Sequence, residues 1–352
     1  MSAGAATASV SPPKRRARRR PSARALAWAA CLCAFAAVPF LFDPYRVGQF
    51  TLVVIYAVAL LGLNLLLGYG GQISLGHGAF FAIGAYAAAI TIDRTGLPAL
   101  AALPLAALAS GLAGALVGLP ALRIRGIYLA LVTLSVALVV PQLVKRFDEL
   151  TGGAQGMQVA QPAAPAWLGL EDDQFLHLLC LAVALPLFAL AANLVRGGVG
   201  RALLAVRENE LAAVAMGVDV ARYKTAAFAL GAAYAGVGGA LFTFVNGFVA
   251  PESFTLALSF GFLAAVVVGG LGTIAGAVFG ALFLEFVPVY ASDVNEALGG
   301  VIYGAVLIAC MYVLPDGIAG LGRRIGGRLR GRPAKAGSDA AAPQVQTNRE
   351  EE

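Results

Sequence analysis

Between Ala25 and Leu314 the chain is a succession of apolar stretches, each about as long as the hydrocarbon core of a bilayer is thick. A helix crosses that core with about 20 apolar residues. Ten such segments are read here: Ala25–Phe42, Val47–Leu67, Leu75–Ile92, Leu97–Leu119, Ile127–Val144, Phe175–Val195, Thr225–Val245, Leu256–Val268, Ile274–Tyr290 and Leu298–Leu314. The eighth and ninth are short and joined through glycines, so one broken or re-entrant element is the alternative for that pair. With 59% hydrophobic and only 12% charged residues, the chain is too apolar for a water-soluble fold. The expected fold class is all-α, a polytopic integral membrane protein of about 8–10 transmembrane helices.

Orientation follows from the basic residues, because short loops rich in Lys and Arg stay cytoplasmic. Lys14 to Arg20, Arg123 with Arg125, Arg196 through Lys224, and Arg323 to Arg330 all fall on one side of a ten-span chain. The opposite loops carry Asp43, Asp148, Glu149, Glu171, Asp172, Asp173, Glu252, Asp293 and Glu296, with Lys145 and Arg146 as exceptions. Both termini are thus expected in the cytoplasm. The net charge of +6 then reflects topology and contact with anionic lipid, and no nucleic-acid partner is implied. The chain divides into a basic arm (residues 1–24), a transmembrane domain (25–316) with a cytoplasmic loop (196–224), and a basic, then polar tail (317–352) expected to be disordered. The arm and first apolar run resemble a secretory signal, but the run continues to Phe42 and further spans follow, so an uncleaved first helix is expected.

Several chemistries lack their residues. None of Lys14, Lys145, Lys224 and Lys335 follows a glycine, so the phosphate-cradling G-x-x-x-x-G-K-[ST] pattern is missing. H-E-x-x-H and G-x-S-x-G are missing too, and the histidines are His77 and His177, the second at an expected outer interface. Cysteines 31, 33, 180 and 310 all lie in apolar runs without companion ligands at zinc spacing, so no metal site is expected. Only Glu285 clearly sits inside a span, which weakens a proton-coupled carrier, although unwound backbone carbonyls can coordinate sodium.

The stretch GYGGQISLGHG, Gly68 to Gly78, interrupts this apolar pattern. A helix broken at membrane depth frees peptide groups that protein or cavity water must satisfy, so such a break often lines a pathway. Gln72, Ser74 and His77 are placed to bond that backbone or a passing solute. The alternative is an ordinary turn at Gly70 and Gly71, with His77 opening the next helix. Gly114-x-x-x-Gly118, Gly272-x-x-x-Gly276-x-x-x-Gly280 and Gly300-x-x-x-Gly304 read as helix-packing faces, within the chain or toward a second membrane subunit.

The loop RGGVGRALLAVRENELAAVAMGVDVARYK, Arg196 to Lys224, reads as one short amphipathic helix. Leu204, Leu211, Val214 and Val218 share one face. Asn209, Ala212, Ala213 and Met216 form a second, and Gly217 supplies the stop. Such a helix suits docking into a groove on a soluble partner. Otherwise it lies on anionic headgroups through Arg201, Arg207, Arg222 and Lys224.

Within that loop, Glu210-x-Ala212-Ala213-x-x-x-Gly217 resembles the cytoplasmic coupling loop of ABC-importer permeases, whose pattern is Glu-Ala-Ala, three residues, then Gly. Here the glutamate sits one place early, and VDVARYK replaces the usual Ile-x-Leu-Pro. Those departures fit one subfamily. LGLNLLLGYGGQISLGHGAFFAIGAYAAA, IRGIYLALVTLS, GRALLAVRENELAAVAMGVDVARYKTAAF, GFVAPESF and VVVGGLGTIAGAVFGA each resemble the M-type permeases of branched-chain amino-acid ABC transporters, in order, from about Val47 to Leu314.

The resemblance implies a permease subunit in a bacterial cytoplasmic (inner) membrane. Its partners would be a second homologous permease, two cytoplasmic ATP-binding subunits and a periplasmic substrate-binding protein. No cofactor would be bound by this chain, ATP being used by the partner subunits. Arg207, Glu208, Asn209, Glu210, Ala212, Ala213 and Gly217 would then contact the ATPases, with Glu210 as charged anchor. Gly70, Gly71, Gln72, Ser74, His77 and Gly78 would belong to the translocation pathway, and the loop with Gly247, Pro251 and Glu252 would meet the binding protein. The alternatives are a urea or short-amide importer, a stand-alone gradient-driven carrier, and an intramembrane enzyme using His77 and Glu285.

Overall fold

The computed structural model describes residues 23–122, 126–294, 298–314 and 317–320. The basic arm to residue 22, Arg123 with Arg125, Glu296, and the tail from residue 321 lie outside the described residues.

The described chain is helical almost throughout, and each of the ten apolar segments falls on its own helix. In order these are α1 (Ala23–Leu41), α2 (Pro44–Leu63), α3 (His77–Thr95), α4 (Ala99–Ala121) and α5 (Ile127–Arg146). A one-turn α6 (Asp148–Thr151) and a two-residue strand β1 (Met157–Gln158) lead to α7 (Asp172–Arg196). Two short helices follow, α8 (Gly198–Glu208) and α9 (Glu210–Ala215), and then α10 (Val220–Asn246). Strand β2 (Phe248–Val249) pairs antiparallel with β1, and α11 (Leu256–Gly269), α12 (Ile274–Val294) and α13 (Gly299–Val313) complete the bundle. Residues 317–320, placed with the tail on sequence grounds, are helical, and Gly317 lies against Gly270.

Among the described residues, eight helices are long and apolar enough to cross a membrane. Helix α3 is not one of them, since His77 opens it and Asp93 and Arg94 close it. Its position removes the need for strong hydropathy. Phe80, Phe81, Ala85, Ala88 and Ala89 are buried against protein rather than lipid.

Two helices form the centre. The most apolar window of α2 with its extension is 78% buried and that of α10 is 72% buried, against 22% for α7. Helix α10 packs on α4, α3 and α2, and glycine is what lets it approach so closely. A Cβ built at Gly239 would strike the carbonyl of Phe81, and one at Gly84 would strike the Gly236 backbone. In lipid, where apolar burial between helices gains little over burial against acyl chains, this backbone-to-backbone packing supplies dispersion energy instead. An aromatic cluster of Tyr56, Phe81, Tyr86, Phe242, Phe254 and Phe262 fills the space beside it, with ring centroids 5.5 to 6.1 Å apart.

The small-residue motifs divide accordingly. Gly114 and Gly118 face α10 at Phe228, and Gly276 and Gly280 face α11 at Gly269 and Ala265. Gly272 does not belong to that helix face. It lies in the turn before α12, with φ +67°. Gly300 and Gly304 have no atom within 4 Å of a Cβ position, so that face of α13 serves no packing among the described residues.

His177 lies near the start of α7, as expected, but is fully buried. Its Nε2 is 2.9 Å from the Phe35 carbonyl and its Nδ1 2.9 Å from Thr51 Oγ1, which fastens α7 to α1 and α2.

Gly239→Val should overpack the α3–α10 contact at a cost of about 1–3 kcal/mol. The expected result is a clearly lowered Tm of the purified chain in detergent, while Gly300→Ala leaves the Tm nearly unchanged.

Candidate functional site

The apolar run of α2 does not stop at a simple turn. From Asn64 to Tyr69 the helix widens to π geometry, a form found mostly as single turns at functional places. Gly70 N–H donates to Leu65 O (3.1 Å), Gly71 N–H to Leu67 O (3.1 Å) and Gln72 N–H to Leu66 O (3.2 Å), closing the end of the helix. Gly71 has φ +66°, and a Cβ there would also run into the Arg207 stem, so only glycine fits.

Residues 70–76 are non-helical, and protein side chains satisfy the backbone they free. Leu75 N–H donates to Thr133 Oγ1 of α5 (2.9 Å), Gly76 N–H to Ser74 Oγ (3.3 Å) and Gly78 N–H to Ser259 Oγ of α11 (3.2 Å). His77 Nε2 donates to the Ala59 carbonyl of α2 (2.9 Å), with the imidazole between Phe80 and Phe262. Ser74 and His77 are therefore sealed into helix packing, as is the Gly78 backbone. Gly70, Gly71 and Gln72 are arranged differently and line a polar cavity of about 80 Å³.

Its other walls come from the 196–224 loop, through Val206, Arg207, Glu210 and Lys224, and from Gly126 and Leu129 at the start of α5. Two residue groups treated separately in the sequence thus meet at one place. The loop itself differs from the single helix expected, because Asn209 breaks it. With φ −156° and ψ 107°, Asn209 is extended, and its Oδ1 accepts from Ala212 N–H (3.0 Å) as the N-cap of α9. Gly217, at φ +82°, is the expected stop. Its N–H donates to Val214 O (2.9 Å) and Val218 N–H to Ala213 O (3.0 Å), a Schellman ending.

The break shifts the helical phase, so the expected faces do not survive. Leu203, Val206 and Ala213 are buried, while Leu211, Val214 and Met216 are 79%, 58% and 84% exposed. Leu204, expected alongside Leu211 and Val214, is exposed as well. Glu208, Asn209, Ala212 and Gly217 are on the outside.

Two charged residues of the loop turn inward. Arg207 Nη1 donates to the Gly68 carbonyl at the end of α2, where the helix dipole favours a cation. Glu210 pairs with Lys224 Nζ of α10, and Lys224 is only 5% exposed. Gln72 Nε2 reaches the Lys224 carbonyl at 3.5 Å. Glu210 is thus committed to an internal ion pair rather than projecting outward as an anchor.

Sequence reasoning missed Asn64. Its Nδ2 donates to Thr273 O (2.7 Å) and its Oδ1 accepts from Gly272 N–H (2.7 Å), clamping the end of α2 to the α11–α12 turn. A lone amide inside an apolar run was the available signal.

At the opposite end, Lys145 pairs with Glu252 at 3.1 Å, which gives one exception to the charge asymmetry a local partner. Gly247 ends α10 at φ +64°, and its carbonyl accepts from Val159 N–H (2.8 Å) beside the β1–β2 pair. Pro251 is buried and Glu252 exposed.

Residues 45–311 match the family model described as branched-chain amino acid transport system / permease component. The high-affinity branched-chain amino acid transport system permease protein LivM of Salmonella typhimurium is 37% identical, across 80% of this chain and 71% of its own length. LivM of Escherichia coli K12 gives the same values. The corresponding LivH protein of E. coli K12 is 26% identical across 75% of this chain and 91% of its own. No solved structure matches. A multi-pass helical membrane protein with this match over most of its length belongs to the family of branched-chain amino acid transport system permease components.

Proposed function

We propose that this chain is the permease subunit of a bacterial inner-membrane ABC importer for branched-chain amino acids. Its similarity to LivM over 80% of its length carries that reading. The weaker likeness to LivH supports pairing with a second, homologous permease. Energy would come from two cytoplasmic ATPase subunits, in keeping with a sequence that lacks a phosphate loop. Solute would be delivered by a periplasmic binding protein to the side bearing β1, β2 and Glu252. The concentration of Arg and Lys from Arg196 to Lys224 supports a cytoplasmic side for α8, α9 and the two termini.

On this reading α9 is the docking element. Leu211, Val214 and Met216 form an exposed apolar edge on the loop between α7 and α10. Glu208 and Arg222 stand exposed nearby and supply the polar rim.

ATP-dependent uptake of labelled leucine by proteoliposomes holding the complete complex tests the assignment. Isoleucine and valine should compete, and urea and acetamide should not. Uptake by the purified single chain without ATP would replace the importer with a self-sufficient carrier. Met216→Asp should remove the ATPase subunits from the detergent-purified complex while leaving the second permease in place.

Glu210→Lys would set a second cation beside the buried Lys224 and should destabilise the loop by about 3 kcal/mol. The swapped pair Glu210→Lys with Lys224→Glu should recover much of the lost Tm.

A further inference from the structure

We infer that Arg207 is a positioning residue: its bond to the Gly68 carbonyl transmits movement of α8 and α9 to the end of α2, and through Asn64 to the α11–α12 turn. The inference rests on the importer reading and adds the route by which the loop acts on the bundle. Arg207 sits in the last turn of α8, three residues before α9 begins, and Asn209 between them is extended. The hinge is therefore held at two points on two different helices. Arg207 holds α2 through the Gly68 carbonyl, and Glu210 holds α10 through Lys224.

The α2 attachment is where a push would spread. A Cβ at Gly68 would strike Asn64 Oδ1 and Gly272 N, so the peptide that Arg207 grips lies directly on the amide that clamps Gly272 and Thr273. One contiguous chain of contacts runs from α8 through the π turn to the turn before α12. That chain crosses the π turn of α2, a geometry found mostly as single turns at functional sites. The polar cavity of about 80 Å³ at Gly70, Gly71 and Gln72 leaves Arg207 free space to one side. A packed neighbour there would hold the side chain in one place, whereas the cavity permits a second position.

The contacts are specific in chemistry. A guanidinium donates to a carbonyl at a helix C-terminus, and a Lys ammonium makes the same kind of bond with less directional control. Ala leaves the carbonyl without its charged donor.

The experiment uses the complete importer with its binding protein in proteoliposomes and measures leucine uptake and ATP hydrolysis together. Subunit stoichiometry is determined for each preparation. Arg207→Ala should lower leucine transported per ATP hydrolysed by about tenfold, the scale of one lost hydrogen bond to a charged group. Arg207→Lys should restore most of that ratio, and Asn64→Asp, which keeps the acceptor for Gly272 but loses the donor to Thr273, should fall between. An unchanged ratio in Arg207→Ala, a parallel fall of both rates, or no rescue by Lys would overturn the inference. So would an Arg207→Ala complex that has lost its ATPases, since Arg207 would then serve docking. A wild-type complex that takes up no leucine with ATP would overturn the importer reading itself, which separates the two failures.

Discussion

The structure depends on how the peptide groups between the end of α2 and the start of α3 are satisfied. Inside a bundle that faces lipid, no bulk water is at hand, and each unpaired N–H or C=O costs several kcal/mol, roughly. Thr133, Ser259 and Ser74 accept from the backbone N–H groups of Leu75, Gly78 and Gly76, and Arg207 donates to the carbonyl of Gly68. Those partners come from α5, α11, the break itself and the 196–224 loop. The break therefore fixes where three other elements must lie, α5, α11 and the loop. A continuous helix from Pro44 to Thr95 would have needed none of them.

Around this point the bundle is rigid for a different reason. Backbones meet at Gly84–Gly236 and Gly239–Phe81, and Gly62 meets Gly231 in the same manner between α2 and α10. Such contacts have no flexible side chain to yield, so α2, α3, α4 and α10 behave as a block. Outside that block lie the glycine-rich segment after the π turn and the two-helix loop hinged at Asn209, while Gly68 in the π turn meets the Gly272 backbone. The segment and the loop are adjacent. A stiff frame with one hinged joint beside a protruding helix is an arrangement that converts force on the helix into displacement at the joint.

Most of the fold was legible because length and apolarity dictate it. Ten apolar runs give ten helices among the described residues, even where α1 has only a short apolar stretch and α3 is too polar at its ends. Helix α3 was still readable from its small and aromatic residues, which suit a position inside the bundle. The loop was only partly legible. Its stop at Gly217 follows from the local demand for positive φ, but its faces were phased as if Asn209 were helical. Asn at that place prefers to cap, and one extended residue rotates everything after it. Ser74 and His77 were read as placed to bond the freed backbone or a passing solute, and in the structure they bond the backbone. Both are polar residues that the chain uses to tie up its own backbone, which no spacing rule distinguishes from a ligand site. Asn64 escaped notice because its partners, Gly272 and Thr273, lie some two hundred residues away in the sequence, and only the folded bundle brings them together.

The two attachments of the loop differ in how far they are shielded from water. Removing one member of a desolvated ion pair costs about 3–5 kcal/mol. A hydrogen bond from a charged donor to a neutral carbonyl contributes about 1.5–3 kcal/mol. Lys224 is nearly inaccessible to water, so losing Glu210 would leave a buried charge unpaired. Arg207 keeps much of its hydration and lies beside open space, so its bond to Gly68 is the less shielded of the two. Force applied at Leu211, Val214 and Met216 then rotates the hinge about the Glu210–Lys224 pair and loads the Arg207–Gly68 bond. The shielded contact acts as pivot and the less shielded one as the moving end, which places the displacement on α2.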